Sequence, residues 1–351
     1  MIQFPERLFA ARKMRGWSLE ELSHQMGKYK ISVQALNKFE NGDLPLSEEV
    51  LFHLCDALGV KHDFFYRTTK VEMEKVNFRK LQSFPAKLQD KIIYQTRDFV
   101  ERYLELEDLL GISPNFNVRK YTGFKIKSAE DVEEAAAFIR KEWKLGNGPL
   151  YNVVEMLEDQ HIKVFEMEEE DGFQGMSAIL QKKIAVIVLN KNQQISNTRK
   201  RFTALHELGH LVMDIDHLSE KTQEEYCHRF AGAMLIPKEK LLEEIGSPKR
   251  TKILLSELGQ LKKQYGISIS ALLFRLRDCG IISATFCYAM MNEMRRLGIF
   301  EREPEEYDYR GEEKSNRFLQ LLLRGISMEV ISTTKAASLN NQKLAEFRKL
   351  M

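Results

Sequence analysis

Apolar positions recur at spacings of three and four over most of the chain, so helices are the expected dominant element. Over residues 1–67 the helical runs are short and separately punctuated. Residues 6–15 put Leu8, Phe9 and Ala11 on one side. Ser18 precedes LEELSHQM, and Glu21 follows it at the capping-box spacing. Ser32 opens VQALNKFEN, which Gly42 closes, and Ser47 opens EEVLFHLCDAL, which Gly59 closes. Residues 71–110 are rich in Lys, Glu, Leu and Tyr, with a break at Pro85. There DKIIYQTRDFVERYLELEDLLG predicts one long helix ending at Gly111, a spacer or a packing arm. Ser113-Pro114-Asn115 marks a boundary.

Beyond it the period changes. Helices are predicted over 129–143 and 153–159, with a loop at 146–149 between them. Period-two or continuous apolar runs then predict strands at 161–166, 177–180 and 184–189. The last two, SAIL and IAVIVL, flank Gln181-Lys182-Lys183 and predict a hairpin. A helix carrying RFTALHELGHLVMD follows, then a second over 222–236 that stops at Pro237. The order is helix, a few strands, then helices, which predicts an α+β domain with a small mixed or antiparallel sheet. From about 303 an acidic loop leads into helix from 312. The expected organisation is an all-α module (1–67), a helical linker (68–118), the α+β domain (119–302) and a helical C-terminal region (303–351).

The chain has 351 residues, enough for two or three domains, and a net charge of only +2. No global field draws it to nucleic acid, so any such contact must come from a local motif. No apolar run approaches the roughly 20 residues needed to span a bilayer, so no membrane role is expected. MIQFPERLFAARKMRGW is broken by charge and lacks an apolar leader core, which points to the cytoplasm. The four cysteines form no CxxC pair and read as free thiols in a reducing compartment.

HELGH changes the picture. Residues four apart share a helix face, so His206 and His210 can hold one metal ion between their imidazoles. Glu207 lies next to His206 and can serve as general base toward a metal-bound water. The flanks are apolar, and Gly209 inside the helix predicts a close neighbour at the backbone. Such a site needs a third protein ligand. In TQEEYCHRFAGAMLI, Glu224, Cys227, His228 and Ala231 share one face, and small residues at 231–233 would let this helix approach the first. Four candidates compete: Glu224, which shares the face of the small residues; Glu225, one position round; His228, as ligand, support or oxyanion stabiliser; and His217 in the connection.

RKRFTALHELGHLVMD followed by EEYCHRFAGAMLIP resembles the ImmA/IrrE family of metallopeptidases. Its pattern is R-F-T-x-x-H-E-x-G-H, then E-x-x-A-N-x-F-A ending L-L-x-P. The resemblance places the third ligand on Glu224, beside His206 and His210. Phe230, Ala231, Leu235 and Pro237 match, whereas Cys227 stands for Ala and His228 for Asn. It implies a gluzincin-like fold, a zinc cofactor (manganese or iron also suits the donors) and a peptide lying as an added strand on a sheet edge. Either strand of the hairpin could supply that edge.

Residues 6–67 resemble a Cro/repressor-type helix-turn-helix domain of the XRE type, through GWSLEELSHQMG, ISVQALNKFENG and LSEEVLFHLCDALGV. The resemblance makes 32–41 the recognition helix, with Ser32, Val33, Gln34, Asn37 and Lys38 toward DNA. Lys28, Tyr29 and Lys30 lengthen the preceding turn, and Leu19 stands where a phosphate-contacting Gln is common. One module reads a half-site, so operator binding implies a homodimer. ISTTKAASLNNQKLAEFRKL resembles helix-turn-helix-like tails of fused family members and reads as a packing or sensing element. Together these imply a DNA-binding regulator with a zinc metallopeptidase that cleaves a repressor or an antitoxin-like protein. Two rival readings stand beside it: a non-proteolytic repressor whose peptidase-like domain senses a metal or ligand, and a component of a toxin–antitoxin or phage-defence locus.

Overall fold

The computed structural model describes residues 4–69, 71, 84–113, 116, 124–169, 172–192, 195–246 and 249–351. The chain divides into two compact units, Met1–Pro114 with Asn316–Met351, and Asn115–Ser315.

The first unit opens with α1 (Phe4–Met14), α2 (Leu19–Gln25), α3 (Val33–Asn41) and α4 (Glu48–Leu58). The caps act as the sequence predicts. Ser18 Oγ accepts from Glu21 N, and Glu21 returns a carboxylate oxygen to Ser18 N. Ser32 and Ser47 cap α3 and α4. Gly42 and Gly59 end them with φ of 79° and 63°, where a side chain would be strained. The lengthened turn after α2 holds a 3₁₀ turn over Gly27–Tyr29. Leu8, Leu22, Leu36, Leu51, Leu54 and Phe65 close one core. The long helix α5 (Ala86–Leu109) starts directly after Pro85 and packs on α1. Its Glu101 is ion-paired with Arg7 and Arg97, and its Asp98 with Arg67 and Arg102.

The second unit contains β1 (Phe124–Lys125), α6 (Ala129–Glu142), α7 (Val153–Asp159), β2 (Lys163–Met167), β3 (Gly175–Leu180) and β4 (Ile184–Asn190). It continues with α8 (Asn197–Val212), β5 (Met213–Asp214), α9 (Glu220–Leu235), α10 (Lys238–Ile245), α11 (Leu255–Tyr265), α12 (Ile269–Asp278) and α13 (Ala284–Arg296). The sheet order is β2-β4-β3, with β2 parallel and β3 antiparallel to β4. The small mixed sheet is therefore present. Every residue of β4 is buried, as its unbroken apolar run requires of a central strand. The hairpin turns at Gln181 and Lys182, both with positive φ. A second, two-residue parallel pair joins β1 to β5, too short to leave a period in the sequence.

Residues 303–315 stay with this unit, and buried Glu313 is their anchor. The helix expected from 312 begins at Arg317. There α14 (Arg317–Ser327), α15 (Thr333–Leu339) and α16 (Leu344–Phe347) belong to the first unit. Leu321, Leu322, Ala336, Ala337, Leu339 and Phe347 share a core with Tyr103 and Leu106 of α5. Lys61 donates to Ala337 O and Arg102 to Leu339 O. Cations thus meet the carbonyls at the C-terminal end of α15, where the helix dipole favours them.

Candidate metal centre and DNA-facing helix

Ser196 caps α8 through the backbone N–H of Arg199, and the helix then runs along β3. Four residues of helix rise about 6 Å and two residues of strand about 6.6 Å, so such neighbours stay in step. Gly175 faces Thr203, whose Cγ2 would lie 2.8 Å from any Cβ there. One step on, Ser177 Oγ donates to Glu207 Oε2 at 2.9 Å. Glu207 is only 2% exposed.

Across from α8, Ser219 caps α9. The approach of the two helices is made at Gly209, where a Cβ would stand 3.2 Å from Phe230 Cδ1 and 3.4 Å from Cys227 Sγ. The close neighbour expected at that glycine is thus α9 itself. The small residues of α9 contribute unequally. Gly232 instead makes room for Arg275 of α12, whose Cδ would lie 3.2 Å from a Cβ there. Cys227, in place of the pattern's alanine, is fully buried against Gly209.

This packing brings three donors together. His206 Nε2 and His210 Nε2 are 3.3 Å apart. Glu224 sets one carboxylate oxygen 3.1 Å from His206 Nε2 and the other 3.3 Å from His210 Nε2. Ligand atoms about 2.0–2.1 Å from a tetrahedral zinc stand about 3.3 Å from one another, a spacing the two imidazole nitrogens already have and the Glu224 carboxylate approaches with one oxygen toward each. Of the four third-ligand candidates, Glu224 joins the histidines, while Glu225 and His217 are exposed. His228 is exposed beside the cluster, its ring centroid 4.5 Å from that of His206 and its face stacked on Phe202.

On α3, buried Leu36 and Phe39 fix the inner face. Ser32, Gln34, Asn37 and Lys38 are exposed, and Val33 is half-buried at the helix start.

Two residues escaped the sequence. Ser177 sits in a predicted strand, but nothing local pairs it with a helix residue 30 positions later. Arg201 is fully buried on α8 and bound to Glu313 at 2.6 Å, to Leu150 O at 2.6 Å and to Tyr151 O at 3.2 Å. Its motif position was visible, whereas its partner 112 residues away was not.

Residues 157–277 match the family model for the IrrE N-terminal-like domain, Peptidase_M78. The second unit carries a peptidase-like domain similar to the IrrE type. Residues 8–65 match the helix-turn-helix model, which places a DNA-binding domain ahead of it. No curated protein matches the chain. The IrrE-type match spans both helices of the donor cluster and all three strands of the β2-β4-β3 sheet. Among the described residues no helix is long and apolar enough to cross a membrane.

Proposed function

We propose that this chain is a cytoplasmic transcriptional regulator in which a zinc-dependent, gluzincin-like peptidase (119–302) is joined to an XRE-type DNA-binding module (1–67). The single observation that supports the peptidase most is the gathering of the His206 and His210 Nε2 atoms and the Glu224 carboxylate, which sets one oxygen near each histidine. Bound there, the metal supplies Lewis-acid polarisation and a water acidic enough to ionise near neutral pH. Glu207 accepts the proton released as the nucleophile forms and returns it to the leaving amine. His228, exposed beside the cluster, offers a ring N–H to the carbonyl oxygen as charge develops, or supports His206 from behind.

The substrate strand lies along β3. Of the two hairpin strands, β4 is paired on both sides, whereas β3 has one neighbour among the described residues. An extended segment can pair with its open edge, directly beside Glu207. The proposed substrate is a repressor or antitoxin-like protein, because the DNA-binding module raises the local concentration of the peptidase around DNA-bound proteins.

Comparing the neo-N-termini of cells carrying wild type and Glu207→Gln tests this reading. Cleavage products confined to wild type and mapping to a DNA-binding protein are expected. Identical termini in both strains would favour the sensor alternative. Metal analysis provides a second check. Wild type is expected to purify with about one zinc per chain, as a four-coordinate site of this kind binds one ion. Glu224→Ala is expected to lose most of it after dialysis; full retention would remove Glu224 from the ligand set.

For the DNA-facing helix, Gln34→Ala and Asn37→Ala are each expected to weaken a selected operator by about 1–3 kcal/mol while sparing random DNA. Lys38→Ala is expected to weaken both and to reduce the salt slope by about 1. Fluorescence anisotropy across a salt series measures both, and its stoichiometry tests the proposed dimer on a two-half-site operator. Equal loss on both DNAs for Gln34→Ala would take that residue away from base edges.

A further inference from the structure

Ser177 and Glu207 are 30 residues apart, yet the strand and the helix bring them to hydrogen-bonding distance. The contact follows from the way β3 runs beside α8. Gly175 and Ser177 face the helix, whereas Met176, Ala178 and Leu180 are buried on the other side of the strand. Gly175 is the residue that lets the strand come so near, since a Cβ there would lie 2.8 Å from Thr203 Cγ2 and 3.0 Å from Val188 O. Ser177 is held in register by its pairing with Ile187 on β4. Its hydroxyl is therefore fixed by the sheet, not by a loop.

We propose that Ser177 is a positioning residue for Glu207, an inference that rests on the peptidase reading above. A carboxylate turns easily about its last bond, a broad two-fold torsion. A hydroxyl donated to Oε2 holds that rotation and leaves Oε1 in one orientation for the proton it must accept. A base held in one geometry meets its proton without first reordering. The same residue lies on the strand whose open edge is proposed to take the substrate. Ser177 thus joins the two events in one element: its backbone belongs to the strand that the peptide extends, and its side chain sets the base.

The test uses the full chain with Co2+ in place of the native metal and acetohydroxamate as probe, read through the visible Co2+ absorption. A hydroxamate bound at such a metal donates a hydrogen bond to the neighbouring glutamate, so its affinity reports the carboxylate's placement. Wild type, Ser177→Ala, Ser177→Thr and Glu207→Gln are compared. All four are expected to bind Co2+ with equal stoichiometry, because none alters the donor triangle. Ser177→Ala is expected to bind acetohydroxamate roughly 5- to 10-fold more weakly, the scale of one ordinary hydrogen bond. Ser177→Thr, which keeps the hydroxyl, is expected to restore the affinity, and Glu207→Gln to bind most weakly. Wild-type affinity in Ser177→Ala overturns the proposal, as does a threonine variant as weak as alanine. Loss of Co2+ or of folding in Ser177→Ala makes the residue structural and also overturns it. A wild-type chain that takes up no Co2+, or a Glu207→Gln chain that binds the probe as wild type does, overturns the peptidase reading and this inference with it.

Discussion

Glu207→Gln is expected to leave the protein folded and metal-loaded while lowering peptide-bond cleavage by about 10²- to 10⁴-fold, the usual contribution of a general base. The expectation follows from where Glu207 sits. It lies outside the triangle of His206, His210 and Glu224, so metal stoichiometry should not change. It is almost fully buried, and a neutral amide of the same shape is easier to bury than a carboxylate. The amide oxygen can still accept from Ser177, which keeps the strand and helix in place. What glutamine cannot do is take the proton. A single-turnover assay on the cleaved protein, with zinc measured in parallel, checks this. A rate within tenfold of wild type at equal zinc would mean that Glu207 is not the base.

Arg201→Met is expected to destabilise the peptidase unit by about 3–5 kcal/mol, the cost of breaking a buried ion pair from one side. Arg201 and Glu313 have no solvent-exposed side-chain surface, and the carboxylate also accepts from Val153 N at the start of α7. Arg201 further stacks over Tyr309, 4.5 Å from the ring centre. Methionine fills much of the volume but leaves a buried carboxylate without its cation. Burial already pushes the Glu313 carboxyl above its ordinary range, with the Arg201 charge opposing that shift. The sign of the pH dependence follows. A carboxyl raised in the folded state favours the fold below its unfolded pKa and loses that contribution as pH rises through the folded value. The deficit of Arg201→Met is therefore expected to be smallest in acid and to grow toward neutral pH. Amide-exchange protection of α7 and α8 measures it separately from the first unit. The double variant with Glu313→Gln is expected to recover part of the loss. A change of under about 1 kcal/mol at neutral pH would show that the pair is not what fixes residues 303–315 to the domain.

Much of the site was legible because the information is local. His206 and His210 share a face by helix geometry alone, and Gly209 announced a close neighbour before that neighbour was known. Four competing third ligands, in contrast, differed by one or a few positions. Rotation about α9 separates them in space: it sets Glu224 beside the histidines and turns Glu225 to solvent. Small residues in that helix pointed to a close approach to α8, yet Gly232 serves Arg275, and it is Gly209 that receives Phe230 and Cys227. A small side chain shows only that something is near, not what.

The sequence by itself determined the caps and most of the helices before Pro237, the hairpin and the shared face of His206 and His210, since each depends on residues within a turn or two of one another. Tertiary structure alone decided which hairpin strand is central and which has one neighbour among the described residues, that Ser177 meets Glu207, and that Arg201 is tied to Glu313 112 residues later. It also set the C-terminal helices on α5, in one compact unit with the helix-turn-helix domain. The physical reason is the same in each case. Periodicity records which face of an element is apolar, but the partner of that face is chosen by packing between segments far apart in the chain.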